Sequence, residues 1–474
     1  MELDQDLQAR QEARTLAAMA ENAWKKLEAM NQEQLDKIVE AVASAFAREA
    51  SGLAQMAVQE TGFGNAADKT AKNLFASETV AQAIRGMKTV GFLGEDREKR
   101  VWEYGVSVGV IAAIVPSTNP TSTVCYKTLI ALKAGNAIVF SPHPKALQST
   151  LAAVKIVAKA AEAAGAPKGA VSCLTIPSLE GCQELMKTPQ VKLILATGGP
   201  GMVKAAYSSG KPAIGVGAGN GPAYIHASAD VKQAIGHILR SKTFDNGTVC
   251  ASEQSIIVEK SMEAVVLREA ESQGFYLLKA EEAGRLARLL FRSNGALNPA
   301  VVGQSALSLA QMANISVPRN TKVLLARENE AGPSVPYSRE KLCPVLAFYV
   351  MDSEEAVLRK VVEVLTHEGS GHTFAIHAKD EAMVRRFAAK VPVSRLLVNT
   401  PAALGGIGAS TGLFPALTLG CGAVGGSSSS DNISPLDLIN IRRVAWGTGE
   451  QPKPAGVDPD LVEKIAGMIL DRLK

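Results

Sequence analysis

Beyond the first hundred residues, short runs of apolar residues alternate with longer stretches in which apolar positions recur every three or four residues. The short runs lie at residues 108–115, 137–141 and 191–196. Their unbroken apolar composition is typical of strands that are buried on both faces of a sheet. The stretches near residues 121–134 and 146–164 have helical periodicity. This alternation predicts parallel βαβ units and a nucleotide-type sheet.

The pattern differs before this region. The first eighty or so residues have helical periodicity, and Asn31 with Gln34 matches a capping box at the start of one helix. Residues 89–104 alternate and turn, which predicts a β-hairpin that extends from the body.

A second α/β region follows, from about residue 223 to residue 400, with predicted strands near residues 254–259 and 345–350. The glycine-rich tract 404–426 and the serines at 427–430 are predicted to be loops.

The end of the sequence has a different character. Residues 447–456 are rich in glycine and proline, which is typical of a linker. Asp458 is a suitable helix cap, and Pro459 is a suitable first helical residue. One helical face then collects the apolar residues Leu461, Ile465, Met468, Ile469 and Leu473. Two interpretations stay open, namely a helix docked on the body of the chain and a docking peptide for another protein.

Composition narrows the class of protein. A chain of 474 residues exceeds one ordinary core and suits two or three domains. With 47% hydrophobic and 20% charged residues, we expect a soluble globular protein. The net charge of +4 comes from scattered residues, which argues against nucleic acid as a partner. We expect neither export nor membrane insertion, because no apolar signal core or long uncharged apolar run is present.

The cysteines suggest a reducing compartment and no metal site. None of them forms a C-x-x-C pair or has metal-ligand spacing. Cys250 lies in Asp245-Asn-Gly-Thr-Val-Cys-Ala-Ser-Glu253, where small neighbours would let a substrate approach its sulfur. From this segment alone, a buried inert thiol is the better interpretation. Cys125, Cys343 and Cys421 are interpreted as packing residues.

Four motifs carry a resemblance to one known family. Asn-Gly-Thr-Val-Cys250-Ala-Ser resembles the active-site segment of the aldehyde dehydrogenase superfamily. Ile114-Val-Pro-Ser-Thr-Asn119-Pro is similar to its oxyanion loop, and Thr197-Gly-Gly-Pro-Gly201 resembles its cofactor turn. Glu340-Lys-Leu-Cys-Pro-Val345 is similar to the segment whose glutamate binds the nicotinamide ribose. The motifs follow the family's chain order, and the resemblance covers roughly residues 10–447.

One departure from the family pattern concerns the attacking group. Hydrolytic members have a Glu-Leu-Gly-Gly segment upstream of the cysteine, and its glutamate activates water. The matching stretch here is Gly215-Val-Gly-Ala-Gly-Asn-Gly-Pro222, with Val216 at the glutamate position. Without a general base, water attacks a thioester poorly, whereas a thiol such as that of CoA needs less help. The segment therefore resembles the CoA-acylating branch.

A second departure agrees with the first. Where hydrolytic members carry Lys-Pro, this chain has Phe140-Ser-Pro-His-Pro144. That segment resembles the aldehyde dehydrogenase half of bifunctional aldehyde/alcohol dehydrogenases. The same half is resembled by two further segments, Gly371-His372-Thr373 and the glycine-rich residues 419–426. The absence of a lysine at Ser141 favours NAD over NADP.

The resemblance implies an α/β, aldehyde dehydrogenase-like fold with a Rossmann-type cofactor domain, an α/β catalytic domain and a β-hairpin/strand oligomerisation element. Residues 1–222 would form the cofactor domain, including the hairpin at about 89–108. Residues 223–400 would form the catalytic domain, and 401–447 would return to the cofactor domain. Residues 448–474 would be a linker and an amphipathic helix.

The resemblance also implies residue roles. Cys250 would be the nucleophile, and the Asn119 amide would hold the oxyanion. Cofactor contacts would come from Ser117, Thr118, Ser141, Pro142, His143, Thr197, Gly198, Gly199, Gly217 and Glu340. Alternatives stay open for several of these residues: Asn119 beside Pro120 is also a common turn residue, and Glu340 is also a plausible surface charge. His367 and His372 are interpreted as structural hydrogen-bonding residues rather than bases.

The expected activity is oxidation of propionaldehyde or acetaldehyde to an acyl-CoA, with NAD as cofactor and CoA as co-substrate. Two alternatives are a reductive, acyl-phosphate-type semialdehyde dehydrogenase and a catalytically silent structural homologue. The family also implies a homodimer or homotetramer. The tail, over residues 457–474, resembles encapsulation peptides of bacterial microcompartment enzymes. We therefore expect a cytoplasmic protein inside a microcompartment, with a shell protein as a further partner.

Overall fold

The computed structural model describes residues 4–447 and 459–473. Residues 448–456 of the predicted linker and the predicted cap Asp458 lie outside the described residues. None of the helices in the described ranges has the length and apolar content that a membrane crossing requires.

The chain begins with a helical layer. Its helices are α1 (Gln5–Leu27), α2 (Gln32–Arg48), α3 (Ala50–Thr61), α4 (Ala66–Leu74) and α5 (Val80–Ile84), with a π-helical turn at Phe75–Thr79 before α5. The predicted capping box is confirmed, because Asn31 Oδ1 accepts from Gln34 N while Gln34 Oε1 accepts from Asn31 N. Helix α1 buries a row of alanines, which lets it pack closely against the body.

A small antiparallel sheet follows the helical layer. Strands β1 (Gly91–Asp96) and β2 (Val101–Ser107) form the predicted hairpin. Its alternating residues place Phe92 against Trp102, with ring centroids 6.1 Å apart.

The predicted nucleotide-type sheet is confirmed as a five-stranded parallel sheet. Its strands are β3 (Val110–Ile114), β4 (Ala137–Ser141), β5 (Val171–Cys173), β6 (Val191–Thr197) and β7 (Ala213–Val216), in the order β5-β4-β3-β6-β7. The connecting helices are α6 (Pro120–Lys133), α7 (Leu147–Ala163), α8 (Leu179–Lys187) and α9 (Pro200–Tyr207). The order reverses at β3, so the carboxyl ends of β3 and β6 open a crevice, the usual ligand position in such sheets.

The second α/β region is a seven-stranded parallel sheet. Its strands are β8 (Pro222–Ile225), β9 (Ser255–Glu259), β10 (Phe275–Leu277), β11 (Val323–Arg327), β12 (Val345–Met351), β13 (Phe374–His377) and β14 (Leu396–Val398), in the order β10-β11-β12-β9-β8-β13-β14. Its helices are α10 (Val231–Thr243), α11 (Glu263–Ser272), α12 (Ala280–Leu290), α13 (Ala306–Met312), α14 (Glu354–His367), α15 (Glu381–Ala388) and α16 (Ala402–Gly406). Helix α16 enters the tract that was predicted to be a loop, because its small residues pack closely there, with Gly406 against Ala251.

The chain then returns to the small sheet. Strand β15 (Ile439–Ala445) pairs antiparallel with β2, which gives the order β1-β2-β15. A strand that joins the hairpin, as the resemblance implied, is therefore present after Ser434. Trp446 packs edge-on against Trp102, with ring centroids 4.5 Å apart.

The last element is α17 (Pro459–Arg472). Its side chains from Leu461 to Leu473 are all exposed, and Leu461 and Ile469 are 51% and 55% exposed. The interpretation of this helix as docked on the body is therefore wrong for the arrangement that the structure describes.

Candidate active site

A cleft of about 260 Å³ opens at the carboxyl ends of β6 and β7, where the five-stranded sheet meets the segment that precedes β9. Most of the predicted site residues line it, namely Ser117, Thr118, Asn119, His143, Thr197, Gly198, Gly199, Gly217, Cys250 and Glu340. Two predicted residues do not line it. Ser141 ends the buried strand β4, Pro142 follows it, and both are buried outside the cleft lining.

One side of the cleft is formed by residues 248–250 with Asn119, and we call it the thiol wall. A 3₁₀ turn at Phe244–Gly247 leads into it. Asp245 and Asn246 there have positive φ angles of 48° and 52°. Each such residue costs on the order of 1–3 kcal/mol and persists only where the surroundings impose it. The hydrogen bonds of Asp245 supply that constraint.

Asp245 is the anchor of the thiol wall. Its Oδ1 accepts from Asn65 N at 2.9 Å, and its Oδ2 accepts from Thr248 Oγ1 at 2.7 Å. Its side chain is fully buried. Burial alone would raise the pKa of this carboxyl, but Lys72 and Lys69 beside it lower that pKa below its usual range.

Two buried lysines of α4 complete this group, and we call Lys69, Lys72 and Asp245 the buried charge cluster. Lys69 Nζ donates to Asp245 Oδ2 and to Thr118 O, both at 2.8 Å. Burial and the neighbouring ammonium of Lys72 lower the pKa of Lys69 to about 8. Sequence reasoning missed this cluster, because lysines three residues apart on a helix usually indicate a solvated face.

Cys250 is the only cysteine within the described ranges that is not buried. The pKa of the Cys250 thiol is raised to about 12, first because its sulfur is buried and then because Glu340 and Cys421 lie nearby. The positive charge of Arg395 lowers this pKa. The free protein therefore holds this sulfur as a thiol at neutral pH. Nucleophilic attack requires that the proton leave once ligands are bound.

Asn119 precedes the first residue of α6, but its side chain makes no capping hydrogen bond to that helix. Its Oδ1 accepts from Lys72 Nζ at 2.5 Å. Its Nδ2 makes only long contacts, at 3.3 Å to Thr118 Oγ1 and 3.5 Å to Thr248 O. The second of these contacts directs the amide toward the segment that carries Cys250, and both are long enough to be weak, so a ligand oxygen can replace them.

The other side of the cleft is formed by residues 197–199 and 216–218, and we call it the glycine wall. A side chain added at Gly199 or Gly217 would meet no protein atom within 4 Å. The buried Thr197 Oγ1 has no hydrogen-bond partner. An unpartnered hydroxyl beside open backbone, at the start of α9, fits the phosphate and ribose groups of a dinucleotide. His143 reaches the cleft at its rim.

Glu340 closes the cleft near Cys250. Its Oε1 accepts from Gly219 N at 2.9 Å. Burial and the nearby Glu368 raise the pKa of Glu340 to about 8, while the Gly219 hydrogen bond lowers it. A side chain at Gly219 would lie 2.0 Å from Cys250 O, so this close approach requires glycine.

Val216 lies on the glycine wall, where it is 4% exposed. Among the described residues that line the cleft, Glu340 is the only one with a carboxyl group. The position predicted for a hydrolytic base is thus occupied by an apolar side chain.

His367 and His372, which were interpreted as structural residues rather than bases, do not line the cleft. Burial and Arg395 lower the pKa of His372 to about 3, so its imidazole is neutral. His367 ends α14. Within the described ranges, no group of three or more His, Cys, Asp or Glu side chains could hold a metal ion.

Comparison with known proteins identifies the class. A sequence model of the aldehyde dehydrogenase family matches residues 5–273, more than half of the chain. The bifunctional aldehyde-alcohol dehydrogenase of Escherichia coli (strain K12) is 46% identical over 439 residues, which are 92% of this chain and 49% of that protein. The chain belongs to the aldehyde dehydrogenase family. It spans about half the length of the curated relatives that it first matches.

Solved structures agree with this assignment. A probable aldehyde dehydrogenase from Listeria monocytogenes EGD-e is 56% identical, with a TM-score of 0.93 over 94% of this chain and 99% of that one. An acetylating aldehyde dehydrogenase from Geobacillus thermoglucosidasius is 50% identical, with a TM-score of 0.93 over 95% of this chain and 99% of that one. A more distant structure, at 27% identity and a TM-score of 0.83, is a propionaldehyde dehydrogenase from Rhodopseudomonas palustris with bound CoA and an acylated cysteine; the alignment covers 92% of this chain and 97% of that one.

Proposed function

We propose that this protein is an NAD-dependent, CoA-acylating aldehyde dehydrogenase that converts a short-chain aldehyde, propionaldehyde or acetaldehyde, reversibly into its acyl-CoA. One observation supports this most strongly. The cleft joins Cys250 and the Asn119 amide on one wall, and it has Val216 instead of a carboxylate on the other.

The thiol wall would perform the first half of the reaction. Cys250 loses its proton, and its sulfur attacks the aldehyde carbon, forming a tetrahedral adduct. Asn119 Nδ2 and the Cys250 backbone N–H donate to the oxygen on which negative charge develops. When the adduct collapses, the hydrogen of its C–H bond leaves with the bonding electron pair as a hydride, and a thioester remains on Cys250. A bound nicotinamide would supply the acceptor for that hydride.

The second half replaces the enzyme sulfur by another sulfur. The CoA thiolate attacks the thioester carbon, and the Cys250 thiolate leaves as the new thioester forms. The free-energy change of this exchange is close to zero, because one thioester is broken and another is formed. Water would need a base at the position of Val216, and a valine accepts no proton.

The glycine wall and its surroundings would hold the cofactor. Thr197 and residues 198–199 and 217 offer backbone and hydroxyl groups to the pyrophosphate side. Glu340 would bind the nicotinamide ribose, with Ser117, Thr118 and His143 along the remaining edge. Ser141 and Pro142 would support this edge from behind.

The decisive experiment follows NADH formation by absorbance with purified protein, propionaldehyde and NAD, with and without CoA. We expect sustained turnover only with CoA, and none with Cys250→Ala. Parallel reactions with NADP test cofactor choice, and reactions with acetaldehyde test chain length. Equal turnover without CoA would refute the acylating assignment, because it would require a hydrolytic base. A reaction that depends on inorganic phosphate instead would favour the acyl-phosphate alternative.

We also propose that the protein forms a homo-oligomer through the β1-β2-β15 sheet and is a cytoplasmic protein held inside a bacterial microcompartment. The sheet exposes Phe92, Trp102 and Ile441, which are 45%, 37% and 43% exposed.

Helix α17 would bind a shell protein through its exposed apolar face. We expect deletion of residues 448–474 to abolish co-sedimentation with shells while the CoA-dependent turnover stays unchanged. Retained co-sedimentation would refute the role of α17.

A further inference from the structure

Lys72 uses all of its donors inside the protein. Its ammonium donates to Asn119 Oδ1 at 2.5 Å, to Asp245 Oδ2 at 2.5 Å and to Thr248 Oγ1 at 3.1 Å. Its side chain is 3% exposed, so water does not compete for these bonds. Three N–H groups therefore meet three acceptors, and the position of Nζ is determined from three directions.

This contact decides which way the Asn119 amide faces. An ammonium group has donors and no acceptor, so only the oxygen of an amide can face it. Asn119 Oδ1 faces Lys72, and Nδ2 must therefore face the other way, toward Thr248 O at 3.5 Å. Thr248 lies two residues before Cys250, so under the proposed function this orientation turns Nδ2 toward the reacting group. The charge on Lys72 thus excludes the flipped amide, which would present an oxygen to the developing negative charge.

The rest of the buried charge cluster keeps Lys72 in place. Asp245 balances its charge and is itself held by Asn65 N and Thr248 Oγ1. Lys69 contacts the same Asp245 oxygen and donates to Thr118 O, one residue before Asn119. Lys69, however, has no contact with the Asn119 amide. The two lysines share Asp245 as a partner and a similar degree of burial. Only Lys72 contacts the Asn119 amide, and the remaining contacts are Thr248 Oγ1 for Lys72 and Thr118 O for Lys69.

We propose that Lys72 is a positioning residue, which acts through Asn119 by fixing the amide so that Nδ2 faces the reacting oxygen. The inference rests on the proposed function, because it takes Asn119 as the oxyanion donor. It adds a residue from α4, remote in sequence from both Asn119 and Cys250, to the machinery of the first chemical step.

The test compares Lys72→Met with Lys69→Met by the single-turnover burst of NADH. Each variant removes one charge and leaves Asp245 with one lysine. We expect Lys72→Met to slow the burst on the order of 10²-fold, as the loss of one oxyanion donor does. Lys69→Met should slow it much less, since Asn119 keeps its partner. The KM for the aldehyde should change little in Lys72→Met, because the contact matters when charge develops.

A double-mutant cycle with Asn119→Ala separates positioning from a general structural effect. If Lys72 acts through Asn119, then Lys72→Met adds little further loss to the Asn119→Ala variant. A burst in Lys72→Met as fast as in the native protein would overturn the proposal. Equal losses in the two lysine variants, or a full additional loss on top of Asn119→Ala, would also overturn it.

The same experiment distinguishes the two levels of inference. If the native protein lacks CoA-dependent turnover, or if Asn119→Ala keeps the native burst rate, the proposed function or its Asn119 assignment fails. If Asn119→Ala is slow and Lys72→Met is not, only the positioning role fails. Should a methionine variant not fold, as judged by circular dichroism, Lys72→Gln and Lys69→Gln serve for the same comparison with the same criteria.

Discussion

The thiol wall and the glycine wall line the same cleft, but they are built in opposite ways. The thiol wall is held by side chains, with a buried carboxylate and two buried ammonium groups behind Asn119 and Cys250. The glycine wall has almost no side-chain hydrogen bonds, and its one buried hydroxyl, on Thr197, has no partner. A surface that stabilises charge must be rigid before the substrate arrives, whereas a surface that receives a cofactor needs open space and free backbone groups.

The largest expected effect is on the stability of the thiol wall. Asp245→Asn removes the carboxylate that the buried Lys69 and Lys72 both contact, and breaking such a pair costs on the order of 3–5 kcal/mol of unfolding free energy. Thr197→Val on the glycine wall serves as the control and should be nearly neutral, because it removes a buried hydroxyl that bonds nothing. Urea denaturation measures both variants. If Asp245→Asn and the native protein unfold at the same urea concentration, the side chains of the thiol wall do not stabilise the protein as this comparison requires.

The second effect concerns the protonation of Cys250. Since the pKa of its thiol is raised to about 12, the thiolate fraction should grow about tenfold per pH unit through the neutral and mildly alkaline range. The rate of alkylation by iodoacetamide in the free protein should follow that fraction, without a plateau below pH 9. Cys250→Ala gives the background from the other cysteines, which are buried. A plateau near pH 7 would show that a neighbouring group already stabilises the thiolate.

The smallest effect is on cofactor binding by the glycine wall. A methyl group at Gly199 meets no protein atom, so Gly199→Ala should fold with native stability. If the cofactor approaches this backbone closely, the KM for NAD should rise on the order of threefold to tenfold, a cost of about 0.7–1.4 kcal/mol. Gly52→Ala in α3, also into open space, is the matched control. An unchanged KM in Gly199→Ala would place the cofactor elsewhere.

The sequence predicted the sheets well, because their strands are unbroken apolar runs. The runs at residues 137–141 and 191–196 became β4 and β6 with nearly the predicted bounds. Residues 448–456 of the predicted linker lie outside the described residues, and the domain boundaries stay predictions. Helix α16 was missed, since its glycines disfavour a helix locally and only packing explains it.

The sequence predicted some of the residues at the site and missed others. Motif resemblance brought Cys250, Asn119 and the glycines to one cleft, although their individual roles stay predictions. Ser141 and Pro142 do not line this cleft, and their predicted cofactor contacts stay predictions. The buried charge cluster was missed entirely. Lys72 has no local signal that distinguishes it from a surface lysine, since its partners come from the start of α6 and from residues 245–248.

The small sheet has a consequence for how the chain acquires its structure. The ion pair between Arg443 and Glu103 joins residues 340 positions apart, and β15 pairs with β2 along its whole length. During synthesis, β1 and β2 leave the ribosome as a two-stranded hairpin, which is marginal on its own. Their third strand arrives only after both large sheets have been translated. Completion of this sheet is therefore a late folding event, and the open edge of β2 is exposed to mispairing for most of the time that synthesis takes.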